Sequence, residues 1–229
     1  MILEGAKAAE SYSESKDLPG KFSLDEFMVD NCKAIYFAGH ETTAITASWC
    51  LMLLASDLEW QARARAEVLE ICGDSLPDAR MLQNMKALTM VIQETLRLYP
   101  PAVFMTREAF QDFKFKDIII PKGMVIQIPI PIIHQDPDIW GSDAHLFNPG
   151  RFANGILGSS QSPHAYMPFG GGPRICIGQH FAMAELKVIL ALVLSKFIFS
   201  LSPAYHHSPA FKLVVEPGDG VILHIKKRS

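Results

Sequence analysis

The sequence predicts a mainly α-helical fold carrying small β-sheets. Long proline-free runs place apolar residues at helical spacing, two of them opened by helix-start signals. Between the helical runs lie short β-rich segments punctuated by Pro and Gly.

A polar, Ser-rich lead over 1–22 ends in Pro19-Gly20 and reads as loop. Ser23-Leu24-Asp25-Glu26 has the capping-box form, and the apolar-periodic run behind it continues to about Ser56, a helix of roughly 45 Å. Ser56-Asp57-Leu58-Glu59 repeats the capping pattern and opens a second helix ending near Gly73. A third helix covers about Met85 to Leu98 and is stopped by Pro100-Pro101. From Val103 to Ile133 the pattern changes to short β-rich runs, with Ile118-Ile119-Ile120 and Met124 to Ile130 on either side of Pro121-Lys122-Gly123. An irregular Gly/Pro/Ser-rich region follows, and then a strongly apolar helix from about Gln179 to Phe199. The tail predicts a terminal β-hairpin, Phe211 to Val215 against Val221 to Ile225.

With 229 residues and 49% hydrophobic content the chain can bury a sizeable core, which excludes a disordered or collagenous protein. Lys+Arg 21 against Asp+Glu 24 gives a net charge of -3, so nucleic-acid binding has no electrostatic support, the basic Lys226-Lys227-Arg228 tail notwithstanding. Cys32, Cys50, Cys72 and Cys176 form no C-x-x-C pair, so neither a disulfide framework nor a cysteine-rich zinc site is indicated. Thr42 to Ser56, the uncharged stretch of the long helix, is shorter than the ~20 apolar residues a membrane span needs, and the first residues lack a signal peptide. Taken at face value, the expectation is a soluble intracellular chain without an anchor.

Three segments carry chemistry. The glycine-rich segment fits neither phosphate-binding template, because Gly170-Gly171-Gly172 does not extend to G-x-G-x-x-G and Gly178 precedes Gln179-His180 instead of Lys-Ser/Thr. It does contain Phe169-x-x-Gly172-x-Arg174-x-Cys176-x-Gly178. Glu94 and Arg97 sit at i,i+3 on the third helix, with Pro149-Gly150-Arg151-Phe152 further on. Ala38-Gly39-His40-Glu41-Thr42-Thr43 lies within the long helix; a zinc-protease His-Glu-x-x-His fails there because the fifth position is Ala44.

In this combination and order, the sequence resembles the C-terminal half of the cytochrome P-450 family of haem-thiolate monooxygenases, most of all its plant microsomal members. Thiolate ligation of haem iron is a known property of that family. The resemblance implies the C-terminal portion of the cytochrome P-450 fold over 23–229: a long oxygen-activating helix, a Glu-x-x-Arg helix, a Cys-ligand loop and the helix after it. It implies Cys176 as the axial iron ligand of haem b, with Phe169, Gly172 and Gly178 shaping the ligand loop and Arg174 and Arg107 meeting the haem propionates. Small Ala38 and Gly39 would let the helix pass close to the porphyrin, and Glu41 and Thr42 would relay protons during O2 activation. Glu94, Arg97 and Arg151 would form a structural network fixing the loop, although Gly150 replaces the usual acidic residue. His134-Gln135-Asp136-Pro137 looks like the family's His-x-Asp-Pro stretch and is structural.

The implied reaction is hydroxylation of a lipophilic small molecule with electrons from NADPH through a flavoprotein reductase. A terpenoid, a steroid-like hormone precursor or a fatty acid would suit apolar Val103-Phe104-Met105. Full-length relatives are held at the endoplasmic reticulum membrane by an N-terminal helix. A competing expectation is a truncated family fragment, lacking the N-terminal half of the fold, with incomplete haem and substrate sites.

Overall fold

The computed structural model describes Glu4 and residues 23–228; apart from Glu4, the polar lead expected over 1–22 lies outside them. The chain divides into two compact units, one up to Glu41 and one from Thr42 onward.

Helix α1 spans Leu24–Ser56. Its start is the expected capping box: the Glu26 amide donates to Ser23 Oγ at 3.1 Å and the Ser23 amide to the Glu26 carboxylate at 3.1 Å. Helix α2, Leu58–Cys72, starts one residue later than its sequence signal, on Asp57, whose carboxylate accepts from the Trp60 amide at 2.9 Å. Ser56 is unavailable as a cap because its hydroxyl donates back to the Met52 carbonyl. Gly73 ends α2 with φ +54.

A short helix α3, Ala79–Asn84, was not anticipated, although Asp78 caps it. Helix α4 covers Lys86–Leu98 and has no side-chain cap of its own. Glu67 of α2 supplies one: its two carboxylate oxygens accept from the Ala87 amide at 2.7 Å and the Leu88 amide at 2.9 Å.

Strands β1 (Phe104–Glu108), β2 (Phe113–Phe115), β3 (Ile118–Ile120) and β4 (Val125–Pro129) form two antiparallel pairs, β1 with β4 and β2 with β3. The β-rich reading overshoots at its end: Ile130–His134 is a short helix, α5, with Pro131 in its first turn. Asp136 caps α6, Pro137–Trp140.

Helix α7 covers Gln179–Lys196, three residues short of the expected end, because Phe197–Leu201 is strand β5. The predicted terminal hairpin does not form. Strand β6 (Pro209–Phe211) pairs with β7 (Val215–Pro217), while β8 (Leu223–Lys227) reaches back to β5 with Leu201 opposite Leu223. Burial decides this pairing: Phe199 on β5 is 2% exposed, so β5 is fixed to the core and offers its edge to β8.

In the second unit the core is helical. Cys50 and Leu54 of α1, Ala64 and Val68 of α2, Leu88 and Ile92 of α4, and Leu186, Leu190 and Leu194 of α7 form one buried cluster. Full burial of an aliphatic side chain contributes about 1.5–3 kcal/mol, so this cluster is the main stabilising element of the unit. Gln61 is buried inside it, donating to the Leu54 and Phe199 carbonyls at 2.9 and 2.7 Å. No helix among the described residues is long and apolar enough to cross a membrane.

Candidate haem-ligand site

The amphipathic α4 aims Glu94 and Arg97 inward, and both are completely buried. All five N–H donors of Arg97 are used. Nε and Nη2 make a bidentate pair with Glu94 at 2.7 and 2.8 Å. Nη1 donates to the carbonyls of His134 and Ala144 at 2.7 and 2.6 Å, and Nη2 also to Leu146 at 3.2 Å. The guanidinium lies 5.2 Å from the Trp140 ring.

Glu94 also accepts from the Asn148 amide at 3.0 Å. Arg151 comes from a 3-10 turn, Pro149–Phe152. Its Nε is 3.6 Å from Glu94, an ion pair without a hydrogen bond, and its two Nη atoms hold the Trp140 carbonyl and Asp143. That guanidinium keeps the Asp143 carboxyl below the usual carboxylate range. The structure thus brings Glu94, Arg97 and Arg151 together.

The cysteine loop lies between Met167 and α7. Phe169 packs its ring against the main core cluster, and its carbonyl accepts the Cys176 amide at 2.9 Å, closing the loop. Gly170 and Gly172 have φ +74 and +72, conformations that side-chain-bearing residues adopt only with strain. The neighbouring strand contributes one face: a Cβ on Gly170 would lie 3.9 Å from the Met105 sulfur, and Arg107 Nη2 donates to the Gly171 carbonyl at 2.8 Å. Arg107 Nη1 is on the Thr106 carbonyl, so two of its five donors serve the backbone.

Cys176 is exposed, as are Ile175, Ile177 and Phe181 around it. A Cβ on Gly178 would lie 3.9 Å from Cys176 Sγ, which puts the sulfur beside the residue that begins α7. No side chain caps that helix start. The Arg174 side chain is exposed and makes no hydrogen bond or ion pair among the described residues.

In the first unit, Ala38 and Gly39 are exposed on α1, and Glu41 is 3.4 Å from His40 Nδ1. In the second, Thr42 is half-buried and its carbonyl accepts from Thr46 Oγ1 at 2.8 Å.

The sequence profile described as Cytochrome P450 matches residues 6–227. The chain belongs to the cytochrome P450 family. Among similar proteins, Cytochrome P450 714C2 of Oryza sativa subsp. japonica is 60% identical over 210 residues, covering 91% of this chain and 40% of that protein. Cytochrome P450 714A2 of Arabidopsis thaliana is 50% identical over 225 residues, covering 98% and 42%. Cytochrome P450 714B3 of Zea mays is 53% identical over 216 residues, covering 94% and 40%. The chain thus spans about two-fifths of the length of these P450 relatives.

The donor set fits a P450 haem. Among the described residues no group of three or more His, Cys, Asp or Glu could hold a bare metal ion. An accessible thiol just before a helix start, with exposed Ile175 and Ile177 on either side of it in the chain, is a donor that could hold a haem iron.

The partners of two histidines of this P450 chain could not be read from the sequence. Buried His134 bonds both Arg97 and Met167, and His207 accepts or donates to two tyrosine hydroxyls, Tyr99 at 3.2 Å and Tyr205 at 2.9 Å. The His-x-Asp-Pro spacing was the visible signal for the first; for the second, His207 offered only its place in a polar loop.

Proposed function

We propose that this chain carries the haem-ligating end of a monooxygenase that hydroxylates a lipophilic small molecule, with electrons from NADPH delivered by a flavoprotein reductase. The observation that supports this best is Cys176, exposed at the start of α7 on a loop closed by its own amide. Haem b, when bound, supplies the iron at which O2 is activated.

Cys176 would supply the thiolate, Gly172 at positive φ would set the turn of the loop, and Gly178 leaves the space beside the sulfur open. Phe169 anchors the loop to the core. Arg174, together with the remaining donors of Arg107, neutralises the propionates. The small Ala38 and Gly39 would let their helix pass close to a porphyrin. Glu41 and Thr42 would relay protons during O2 activation, a general-acid task beyond aliphatic side chains. Glu94, Arg97 and Arg151 hold the backbone from which the loop departs. The same reading places a full-length relative at the endoplasmic reticulum membrane through an N-terminal helix.

The test is the reduced carbon-monoxide complex of the 229-residue chain, which should show the red-shifted Soret band of thiolate ligation. Cys176→Ala should abolish that band; its survival would assign the wrong ligand. In the full-length protein Thr42→Ala should release peroxide at the expense of product, and unchanged coupling would remove Thr42 from proton delivery.

A second reading, a family fragment with no activity of its own, draws support from Ile177 and Phe181, 78% and 71% exposed beside the ligand loop. Failure of the chain to take up haem would select it.

A further inference from the structure

The side chain of His134, fully buried at the end of α5, bonds both Arg97 and Met167, the residue at the entry to the cysteine loop. The Met167 amide donates to its Nε2 at 3.0 Å, and a backbone amide can only donate. Nε2 is therefore the unprotonated nitrogen. Nδ1 lies 3.2 Å from the Arg97 carbonyl, which can only accept, so Nδ1 carries the proton. These two partners fix both the neutral state and the tautomer.

The ring is also clamped. Tyr166 stacks on it at 5.5 Å with the planes 19° apart, and Trp140 meets its edge at 6.2 Å. Tyr166 is in turn tied to α4 through its hydroxyl on the Gln93 carbonyl at 3.0 Å. The His134 carbonyl accepts from Arg97 as well, so Arg97 and His134 bond each other in both directions. Met167, held by the ring, is two residues before Phe169, whose carbonyl receives the Cys176 amide, and its own carbonyl accepts the Gly170 amide at 3.0 Å.

We infer that His134 is a positioning residue for the ligand loop: as a neutral Nδ1–H imidazole it transmits the placement of the Glu94–Arg97–Arg151 network to Met167 and so to Cys176. The claim about Cys176 rests on the proposed function above; the link from Arg97 to Met167 does not.

The charged and titratable groups facing the ring are Arg97, itself paired with Glu94, from α4, and Tyr166 from the segment before the loop; Trp140 of α6 adds an uncharged edge. Burial lowers the His134 pKa to about 4, with the Arg97 guanidinium adding to the effect against the backbone bonds of Arg97 and Leu96. A histidine held below its unfolded pKa of about 6.5 contributes stability that is complete above that pH and is lost as pH falls toward about 4. A protonated Nε2 would also face the Met167 amide, donor against donor.

The experiment uses the 229-residue chain, labelled with 15N for the histidine nitrogens, and hydrogen exchange of the 167–178 peptide. His134 should show a protonated Nδ1 and a bare Nε2 from neutral pH down to about 5. The opposite tautomer, or a charged ring at neutral pH, overturns the inference. His134→Phe keeps an aromatic ring and deletes both bonds; exchange over 167–178 should rise about tenfold, the scale of one lost buried hydrogen bond. His134→Gln, with one acceptor and one donor, should restore most of the protection. Wild-type exchange in the Phe variant, or no rescue by Gln, refutes the positioning role. Should the Phe variant fail to fold, the tautomer and the Gln variant still decide. Cys176→Ala separates the two claims: it should remove the thiolate spectrum and leave the His134 tautomer and the 167–178 protection intact. A thiolate band surviving that change would fault the ligand assignment alone.

Discussion

Arg97 and Cys176 belong to the same arrangement and are held in opposite ways. Arg97 is completely buried, and carbonyls and a carboxylate from this chain take all its donors. Cys176 is exposed, its loop is closed by one backbone bond, and the side chains around it are apolar and outward-facing. The first is a position the chain completes by itself, at the cost of desolvating an ion pair that only dense hydrogen bonding offsets. The second is shaped by backbone conformation, chiefly glycines at positive φ, and keeps its reactive atom accessible. Rigidity sits behind the site, and chemistry sits at its surface.

Substitutions at the two places should therefore behave differently. Cys176→Ala should have the largest functional effect, complete loss of the thiolate spectrum, with thermal stability of the apo chain unchanged; a large drop in its melting temperature would show the thiol to be structural. Glu94→Gln should have the largest effect on stability. It leaves the Arg97 charge buried without its carboxylate, a loss of about 3–5 kcal/mol that chemical denaturation would read. A cost below about 1 kcal/mol, typical of exposed pairs, would break the contrast.

Gly172→Ala forces a side chain into φ +72 and should cost about 1–2 kcal/mol although nothing lies within 4 Å of the new methyl. Gly178→Ala should change stability by less than about 0.5 kcal/mol, since its φ of -88 suits any residue and the new methyl would rest 3.9 Å from the sulfur. A larger penalty at Gly178 than at Gly172 would mean that contact, and not backbone strain, shapes the loop.

The helices were legible because their starts are written in capping residues and their lengths in proline-free periodicity. Ser23 and Glu26 cap α1 as their spacing says, and Pro100-Pro101 stops the run whose helix closes at Leu98. Strand pairing was much less legible. Val221 to Ile225 offered the right residue types for a local hairpin, but the partner of β8 is β5, selected by the buried Phe199 and not by turn chemistry. The inward Glu94–Arg97–Arg151 arrangement could be anticipated only through family resemblance, since an i,i+3 ion pair alone usually marks a solvated face. His134 was visible as a motif, but its two-sided bond joins residues 97 and 167, a separation no local pattern reveals.

Glu67 has a consequence for how the helices open. Because α4 borrows its N-terminal cap from α2, its first turn is complete only while α2 is docked. The two helices thus form one cooperative unit, and local unfolding of α2 should expose the Ala87 and Leu88 amides at the same free energy. The residue pair at the far end of α4, Glu94 and Arg97, inherits that dependence: a change on the outer face of α2 would be felt at the cysteine loop through the fraying of a helix two elements away.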